Sequence, residues 1–431
     1  MALAVRWLYS TLTWAAQPLL RRKLRRRAVA EPGYAVAVEE RFGRYGQPAG
    51  SGFVWVHAVS LGETRAAAIL LAALRRALPG MRLLLTHGTA TGRAEGAKLL
   101  QPGDVQVWQP WDTPAAVQRF LRQFRPALGI LMETEVWPNL VAACRRQGIP
   151  LALANARLND TSLRKAQRLG WLARPAYRGL VAVWAQTEAD AQRLRTLGAP
   201  VQGVFGNLKF DVEPDGAQLA QGRAWRAMQA RPVVLLASSR EGEEALWLEI
   251  FKQKTAPALM GQAPAAINSE VQWLIVPRHP QRFDAVEAML RAAGLSVARR
   301  SRWQGAPPQA DVWLGDSLGE MALYYGLADV ALLGGSFAPL GGQNLIEAAA
   351  CACPVVLGPH TFNFAEAAQK ACAAGAARRV AGMAQGVDAA YMLACDAGAL
   401  AAARTAALEF AQAHRGAAQA TADAVRRLLG L

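Results

Sequence analysis

The chain has 431 residues, 52% of them hydrophobic and 13 of them tryptophan, enough for two or three domains with real cores and incompatible with wholesale disorder. Its formal net charge is +16. Seven basic groups and no acid fall in residues 1–27 (Arg6, Arg21, Arg22, Lys23, Arg25, Arg26, Arg27), so +9 belongs to the rest. A basic excess suits an acidic partner: nucleic acid, an anionic membrane or a phosphorylated substrate. A nucleic-acid role would rest on charge alone, because no basic–aromatic surface motif accompanies it.

The amino terminus, "MALAVRWLYSTLTWAAQPLL", is mostly apolar and runs directly into "RRKLRRR". A secretory signal has the opposite order, with its charge before the apolar stretch. About 20 residues suffice to cross the hydrocarbon at roughly 1.5 Å each, but Arg6 and Pro18 weigh against a span. An amphipathic helix lying in the interface, with Trp7, Tyr9 and Trp14 at headgroup depth, fits equally. Either way the basic cluster belongs at an anionic cytoplasmic surface.

From residue 53, short aliphatic runs alternate with helical patterns. Strands are expected at 53–58, 82–86, 105–108, 128–132, 151–154 and 181–185. Between them "TRAAAILLAALRRAL" and "PAAVQRFLRQF" repeat apolar residues at helical spacing, which is the signature of a parallel sheet wrapped by helices. The pattern pauses over 206–232 and restarts at 233–237, 272–276, 311–314, 329–333 and 354–357. Two similar α/β halves imply a cleft, with pockets at the carboxyl ends of the strands. The small-residue-rich stretch 252–270 reads as a surface insertion. The last 30 residues are helical with no following strand, as expected of a segment that packs back on the halves. The expected division is 1–27 anchor, 28–210 first Rossmann-like domain, 211–232 linker, 233–395 second Rossmann-like domain and 396–431 helical tail.

The strand-end loops hold the unusual residues. After the first strand comes "VSLGE". Ser60 and Glu63 have capping-box spacing, and a carboxylate in a first helical turn is also favoured there by the helix dipole. Glu63 is therefore either a cap or a carboxylate held out for chemistry. "METEVWPN" sets Glu133 and Glu135 around Thr134, either gripping hydroxyls or lying in a solvated loop before a helix begun by Pro138. "LIVPRHPQRF" places Arg278 and His279 after a strand, where guanidinium suits phosphate or carboxylate. Gly341-Gly342 precede the helical "NLIEAAA", whose free N–H groups suit a phosphate, with Glu347 one turn in for a ribose. Strand, Gly-Gly, helix, Glu and strand together point to a nucleotide sugar. No GxxxxGK[ST], no suitably placed GxGxxG and no HExxH occurs, leaving phosphoanhydride, hydride and zinc chemistry without support. The five cysteines are scattered and odd in number, which fits reduced thiols. Cys351-Ala352-Cys353 has no further ligand pair at metal spacing and reads as buried thiols.

Taken together, "WVHAVSLGE", "LTHGTATG", "RFLRQFRPALGILMETEVWPNL", "LANARL", "GNLKFD", "VPRHPQRF", "GDSLGEM" and "LGGSFAPLGGQNLIEA" resemble the 3-deoxy-D-manno-octulosonic acid (Kdo) transferases of lipopolysaccharide assembly. The resemblance runs from the amino terminus to about residue 380. It implies a two-domain GT-B glycosyltransferase at the cytoplasmic face of the inner membrane, with CMP-Kdo as donor, the lipid A precursor as acceptor and no metal. It assigns Glu63 as catalytic base and Glu133 to the acceptor side. It sets Arg278, Glu320, Asn344 and Glu347 around the CMP moiety, with Ser336, Gly341 and Gly342 lining the phosphate. The chain departs at Ser238-Ser239-Arg240, where the family usually reads "STH", at Gln343, where it reads His, and at Ala348, where it reads Pro. The rival readings are another GT-B enzyme working on a UDP-sugar (transferase or epimerase) and a non-catalytic membrane-surface binding module.

Overall fold

In a computed structural model, residues 2–255 and 270–431 are described. The chain divides into two units, one of residues 1–211 with 414–431 and one of residues 212–413.

The first unit is built on seven parallel strands: β1 (Val54–His57), β2 (Leu83–His87), β3 (Val105–Trp108), β4 (Leu128–Met132), β5 (Leu151–Ala156), β6 (Ala182–Ala185) and β7 (Val201–Val204), in the order β3-β2-β1-β4-β5-β6-β7. Helices cover both faces, so the inner strands are apolar on both sides and read as continuous runs rather than alternating ones. On one face Trp55, Leu131, Leu153 and Val183 pack with Phe120 and Phe124 of the helix Pro114–Phe124. On the other, Val56, Leu85, Ile130 and Trp184 meet Leu70 and Leu74 of the helix Leu61–Ala77 and Ala418, Ala422 and Val425 of the helix Ala417–Leu428. The last helix thus belongs to the first unit, and the stretch expected as one tail is divided between the two.

The second unit has its own seven parallel strands: β8 (Val233–Ser239), β9 (Gln272–Pro277), β10 (Val297–Arg299), β11 (Val312–Leu314), β12 (Val330–Leu333), β13 (Val355–Leu357) and β14 (Ala377–Arg379), in the order β10-β11-β9-β8-β12-β13-β14. Trp247 and Phe251 of the helix Glu243–Thr255, with Val387 and Ala390 of the helix Met383–Cys395, pack on Leu236, Trp273, Ile275 and Leu332. The expected insertion 252–270 lies outside the described residues between Thr255 and Glu270.

The amino-terminal residues form two helices, Ala2–Ala15 and Gln17–Ala30, with Pro18 in the first turn of the second. Among the described residues no helix is long and apolar enough to cross a membrane. Tyr9, expected at headgroup depth with the two tryptophans, instead faces the protein and donates to the Asp112 carboxylate at 3.0 Å. Trp7 and Trp14 are exposed. Asp112 is buried and also accepts from the backbone N–H groups of Asn139 and Leu140, capping the helix Pro138–Arg146. Burial pushes its carboxyl up to about 6 against those bonds.

The stretch expected as a linker contains the helix Gly216–Ala227, which packs on the helix Met321–Leu327. Gly222 makes this possible: a Cβ there would stand 2.2 Å from the Leu323 carbonyl oxygen and 2.9 Å from the Leu327 nitrogen. Both obstacles are backbone and cannot step aside. Gly222→Ala should therefore destabilise the second unit by about 1–3 kcal/mol, the usual cost of overpacking. A urea-unfolding midpoint equal to that of the parent would refute this account of the contact.

Candidate functional site

In an open parallel sheet, the crevice opens at the carboxyl ends of the two strands where the order reverses. In the first unit these are β1 and β4, and "VSLGE" and "METEVWPN" are the segments that leave them. The local fold explains why Glu63 sits at the rim. Ser60 adopts extended backbone and accepts from the Glu63 N–H, capping the helix Leu61–Ala77. Glu63 reaches back, accepting the Val59 N–H at 2.9 Å and the Ser60 hydroxyl at 3.0 Å. This is a variant of the capping box, in which the carboxylate takes the N–H of the residue before the cap in place of the cap's own. Burial, helped by the neighbouring charges of Glu133 and Glu135, pushes its carboxyl up to about 7 against those two hydrogen bonds. Cap and poised carboxylate are thus one geometry.

The histidines nearby are not rivals for that role. The His87 Nδ1–H donates to the Ala58 carbonyl at 2.9 Å, leaving Nε2 to accept from Gln106 at 3.0 Å, which fixes a neutral ring. His57 is buried against Thr86. Burial lowers the two to about 4 and about 3, so neither carries charge at neutral pH.

Glu133 directly follows β4 and is held with φ +58°, a left-handed conformation that a glutamate adopts only at a cost. Its side chain is buried and accepts from the Arg157 Nε at 2.7 Å. Glu135 accepts from the Trp137 indole at 3.0 Å, and burial raises its carboxyl. Asn155, at the end of β5, also has positive φ. Its side-chain oxygen Oδ1 accepts the Leu208 N–H at 3.1 Å, while its buried amide nitrogen has no hydrogen-bond partner among the described residues. Three carboxylates and an unused amide donor gathered at one sheet edge suit a ligand rich in hydroxyls.

In the second unit the order reverses between β8 and β12. Arg278 and His279 follow β9 and are half-buried, and the Arg278 N–H donates to the Ser239 carbonyl at 2.9 Å. His279 is lowered by burial and by the charges of Arg240, Arg278 and Arg282, with Glu241 opposing them. Arg240 pairs with Glu241 at 3.1 Å and Arg282 with Glu244 at 2.8 Å, so cations and carboxylates are interleaved around the imidazole. Burial pushes the Tyr325 hydroxyl well up, with the charge of Glu347 adding to the rise and that of Arg278 opposing it. Gly341 and Gly342 have φ +89° and +77°, and Gly342 donates to the Gly335 carbonyl at 2.7 Å.

The remaining expected contacts are differently placed. Ser336 is fully buried, with its hydroxyl donating to the Leu333 carbonyl and accepting the Gly358 N–H, so its side chain ties two strand ends together. The helix after the glycine pair, Leu345–Ala350, has only six residues, and Asn344 spends its side chain capping the Ile346 N–H. A helix so short supplies little dipole for a phosphate. Glu320 is engaged by Arg300 at 2.9 Å and by the Ser317 hydroxyl. All five cysteines are free, and Cys351 and Cys353 are buried. Sequence reasoning passed over Asp112, Asn155 and Arg157, and also the buried pair Glu243-Glu244; an acidic doublet straight after a strand was the one available signal for the last.

Two parallel-sheet α/β domains, each gathering its polar groups where its strand order reverses, resemble the GT-B glycosyltransferases. UDP-GlcNAc 2-epimerase of Neisseria meningitidis, solved with UDP-GlcNAc, shares the fold at a TM-score of 0.56 and 16% identity over 88% of this chain and all of that one. A family model described as 3-deoxy-D-manno-octulosonic-acid transferase (kdotransferase) matches residues 37–212. The 3-deoxy-D-manno-octulosonic acid transferase of Bordetella pertussis is 51% identical over 400 residues, covering 90% of this chain and 91% of its own. That of Haemophilus influenzae is 33% identical, covering 84% of each. The chain belongs to the 3-deoxy-D-manno-octulosonic acid transferase family, and is a glycosyltransferase.

The raised Glu63 has a measurable consequence in stability. Its carboxyl titrates near 7 in the folded chain and near 4.5 in the unfolded one, so between those values the folded state holds the extra proton and stability falls as pH rises. Glu63→Gln removes that loss. Its stability relative to the parent should climb from pH 4.5 to 7 and level off above, read as the difference in unfolding midpoint of the first unit. A difference that stays flat across that window would contradict the raised carboxyl.

Proposed function

We propose that this glycosyltransferase moves Kdo from CMP-Kdo to the lipid A precursor (lipid IVA) with inversion, using Glu63 as general base. Kdo transfer in lipopolysaccharide assembly is the activity of the chain. The observation that carries the residue assignment is the Glu63 carboxyl itself, held at the β1 crossover and poised near 7. A base is most effective when it titrates close to the working pH.

In the step, an acceptor hydroxyl oxygen bonds to the anomeric carbon of Kdo from the face opposite CMP. The carbon–oxygen bond to the CMP phosphate breaks, and its electron pair leaves with that phosphate. The hydroxyl proton passes to a carboxylate oxygen of Glu63. One displacement inverts the centre, so a single base suffices. Arg278 and Arg240 supply positive charge for the leaving phosphate, while Glu133, on the acceptor side, and Asn155 meet acceptor hydroxyls. No residue is assigned to a metal.

The same reading places the enzyme on the cytoplasmic face of the inner membrane, where the acylated, phosphorylated acceptor resides. Trp7, Leu8, Leu12, Trp14 and Leu19 are exposed along the two amino-terminal helices. Arg22, Lys23, Arg25 and Arg26 are exposed beside them. Apolar and basic groups together suit a helix lying in an anionic interface. Working there replaces a search through solution by one on a surface.

Glu63→Gln should lower turnover by about 10²–10⁴-fold while leaving CMP binding intact, with product counted by lipid mass spectrometry. In the parent enzyme the rate should fall about tenfold per pH unit below about 7, because the protonated base is inactive. Near-normal turnover in the variant would return Glu63 to a purely capping role. Replacing Arg22, Lys23, Arg25 and Arg26 with alanine should weaken binding to vesicles containing anionic lipid by on the order of a hundredfold or more, at roughly 1 kcal/mol per charge. Equal binding of parent and variant at low salt would remove the membrane assignment of this cluster.

A further inference from the structure

Glu243 and Glu244 open the helix Glu243–Thr255 and are almost wholly buried, at 0% and 1% exposure. One carboxylate oxygen of Glu243 accepts the N–H groups of Phe337 at 3.0 Å and Ala338 at 3.2 Å. The other accepts those of Gly335 at 2.7 Å and Arg240 at 2.9 Å. Glu244 accepts the Ser239 hydroxyl at 2.7 Å and a two-pronged bond from Arg282 at 2.8 and 2.9 Å. Arg282 belongs to the loop that begins with Arg278 and His279. Ser239 ends β8, and the same loop's Arg278 N–H donates to its carbonyl.

Two adjacent side chains therefore gather the loops at the carboxyl ends of β8, β9 and β12, the three central strands of this sheet. The packing at that point is tight enough to transmit position. Ser238 takes a positive φ of 54° at a register shift in the β8–β9 pairing. A Cβ on Gly334 would lie 2.3 Å from the Ser238 carbonyl oxygen. Gly335, whose N–H Glu243 holds, accepts in turn from the Gly342 N–H.

We infer that Glu243 and Glu244 are positioning residues for the donor site, acting through the loops that carry Arg240, Arg278 and the Gly341–Asn344 turn. The inference rests on the CMP-Kdo reading for its ligand but not for its geometry. Neither carboxylate is available to substrate, since backbone N–H groups and Arg282 occupy them. A carboxylate is needed at 243 because two oxygens must each accept two N–H donors. Glutamine keeps the shape but turns an NH₂ toward one of those pairs, setting donor against donor.

The experiment compares the full-length parent, Glu243→Gln and Glu244→Gln in two ways. Amide hydrogen exchange followed by mass spectrometry, without substrate, should show protection lost over 334–342 in Glu243→Gln and over 277–283 in Glu244→Gln. Steady-state kinetics should show the donor KM raised at least about tenfold, the equivalent of one or two of these hydrogen bonds, with the acceptor KM within about twofold of the parent. A merely structural defect would reduce kcat with the folded fraction and leave both KM values alone. Ser239→Ala, which removes a single bond to Glu244, is the milder variant should the glutamine forms fail to fold. It should raise the donor KM in the same sense by less. Unchanged exchange, or a donor KM that does not move, overturns the inference. If exchange changes as expected but the parent neither binds CMP nor transfers Kdo, the positioning role stands and the substrate reading fails.

Discussion

Parallel strands send all their carboxyl ends to one edge of a sheet, and the chemistry of this chain follows from that constraint. A parallel pair cannot be closed by a hairpin, so each strand returns through a helix and begins again from the opposite edge. The loops at the carboxyl edge are thereby collected without any contact between distant parts of the sequence having to specify them. In each unit one further event, reversal of the strand order, leaves a gap in the covering helices at two particular strands. Glu63, Glu133 and Glu135 lie at one such place, and Arg240 and the Gly334–Ser336 turn at the other, with Arg278 just after the neighbouring strand β9.

The two units use a first-turn glutamate in opposite ways, and the number of donors around it accounts for the difference. Glu63 meets one backbone N–H and one hydroxyl. That leaves lone pairs unoccupied, and with burial and two neighbouring carboxylates the proton is held up to about 7. Glu243 meets four backbone N–H groups. Burial pushes its carboxyl up and those four bonds pull it back toward the anion. A carboxylate with spare lone pairs and a pKa near neutrality is suited to exchange protons. One saturated by main-chain donors is suited to hold loops still.

The sequence was legible where burial on both faces produced uninterrupted apolar runs. Every inner strand of both sheets falls within a residue or two of its expected place, because nothing but an aliphatic run fills a two-sided interior. The strands that escaped notice, β7, β10 and β14, are all at sheet edges. "VQGV", "VAR" and "ARR" are half-exposed and carry polar residues, so no pattern marks them. The site was legible through its motifs to the same degree. Spacing alone offered cap or chemistry for Glu63, and the geometry contains both. Residue type alone could not show how Ser336 spends its hydroxyl, since one that bonds a carbonyl and one that bonds a phosphate look alike in a sequence. The glycine pair carried the turn correctly but not the length of the helix behind it, which ends after six residues. Glu243 was passed over because charged residues are almost never fully buried, and what reverses that rule here is an array of main-chain donors.

Arg240 and Gln343 bear on how the proposed reaction would titrate. Guanidinium keeps its charge at any working pH, and an amide has none to lose. His279, the imidazole that remains beside Arg240 and Arg278, is lowered by burial and by the cations around it. In the proposed step, the positive field offered to the leaving phosphate would therefore vary little across the neutral range. Proton uptake near neutrality is left to the carboxylate group at β1 and β4, where Glu63 is the member poised at about 7. Glu133 pairs with Arg157, while Glu135 accepts from the Trp137 indole and is itself raised by burial. The division proposed here, a carboxylate of the first unit that exchanges protons and guanidinium groups of the second that stay charged, is one that an inverting displacement with an anionic leaving group would use.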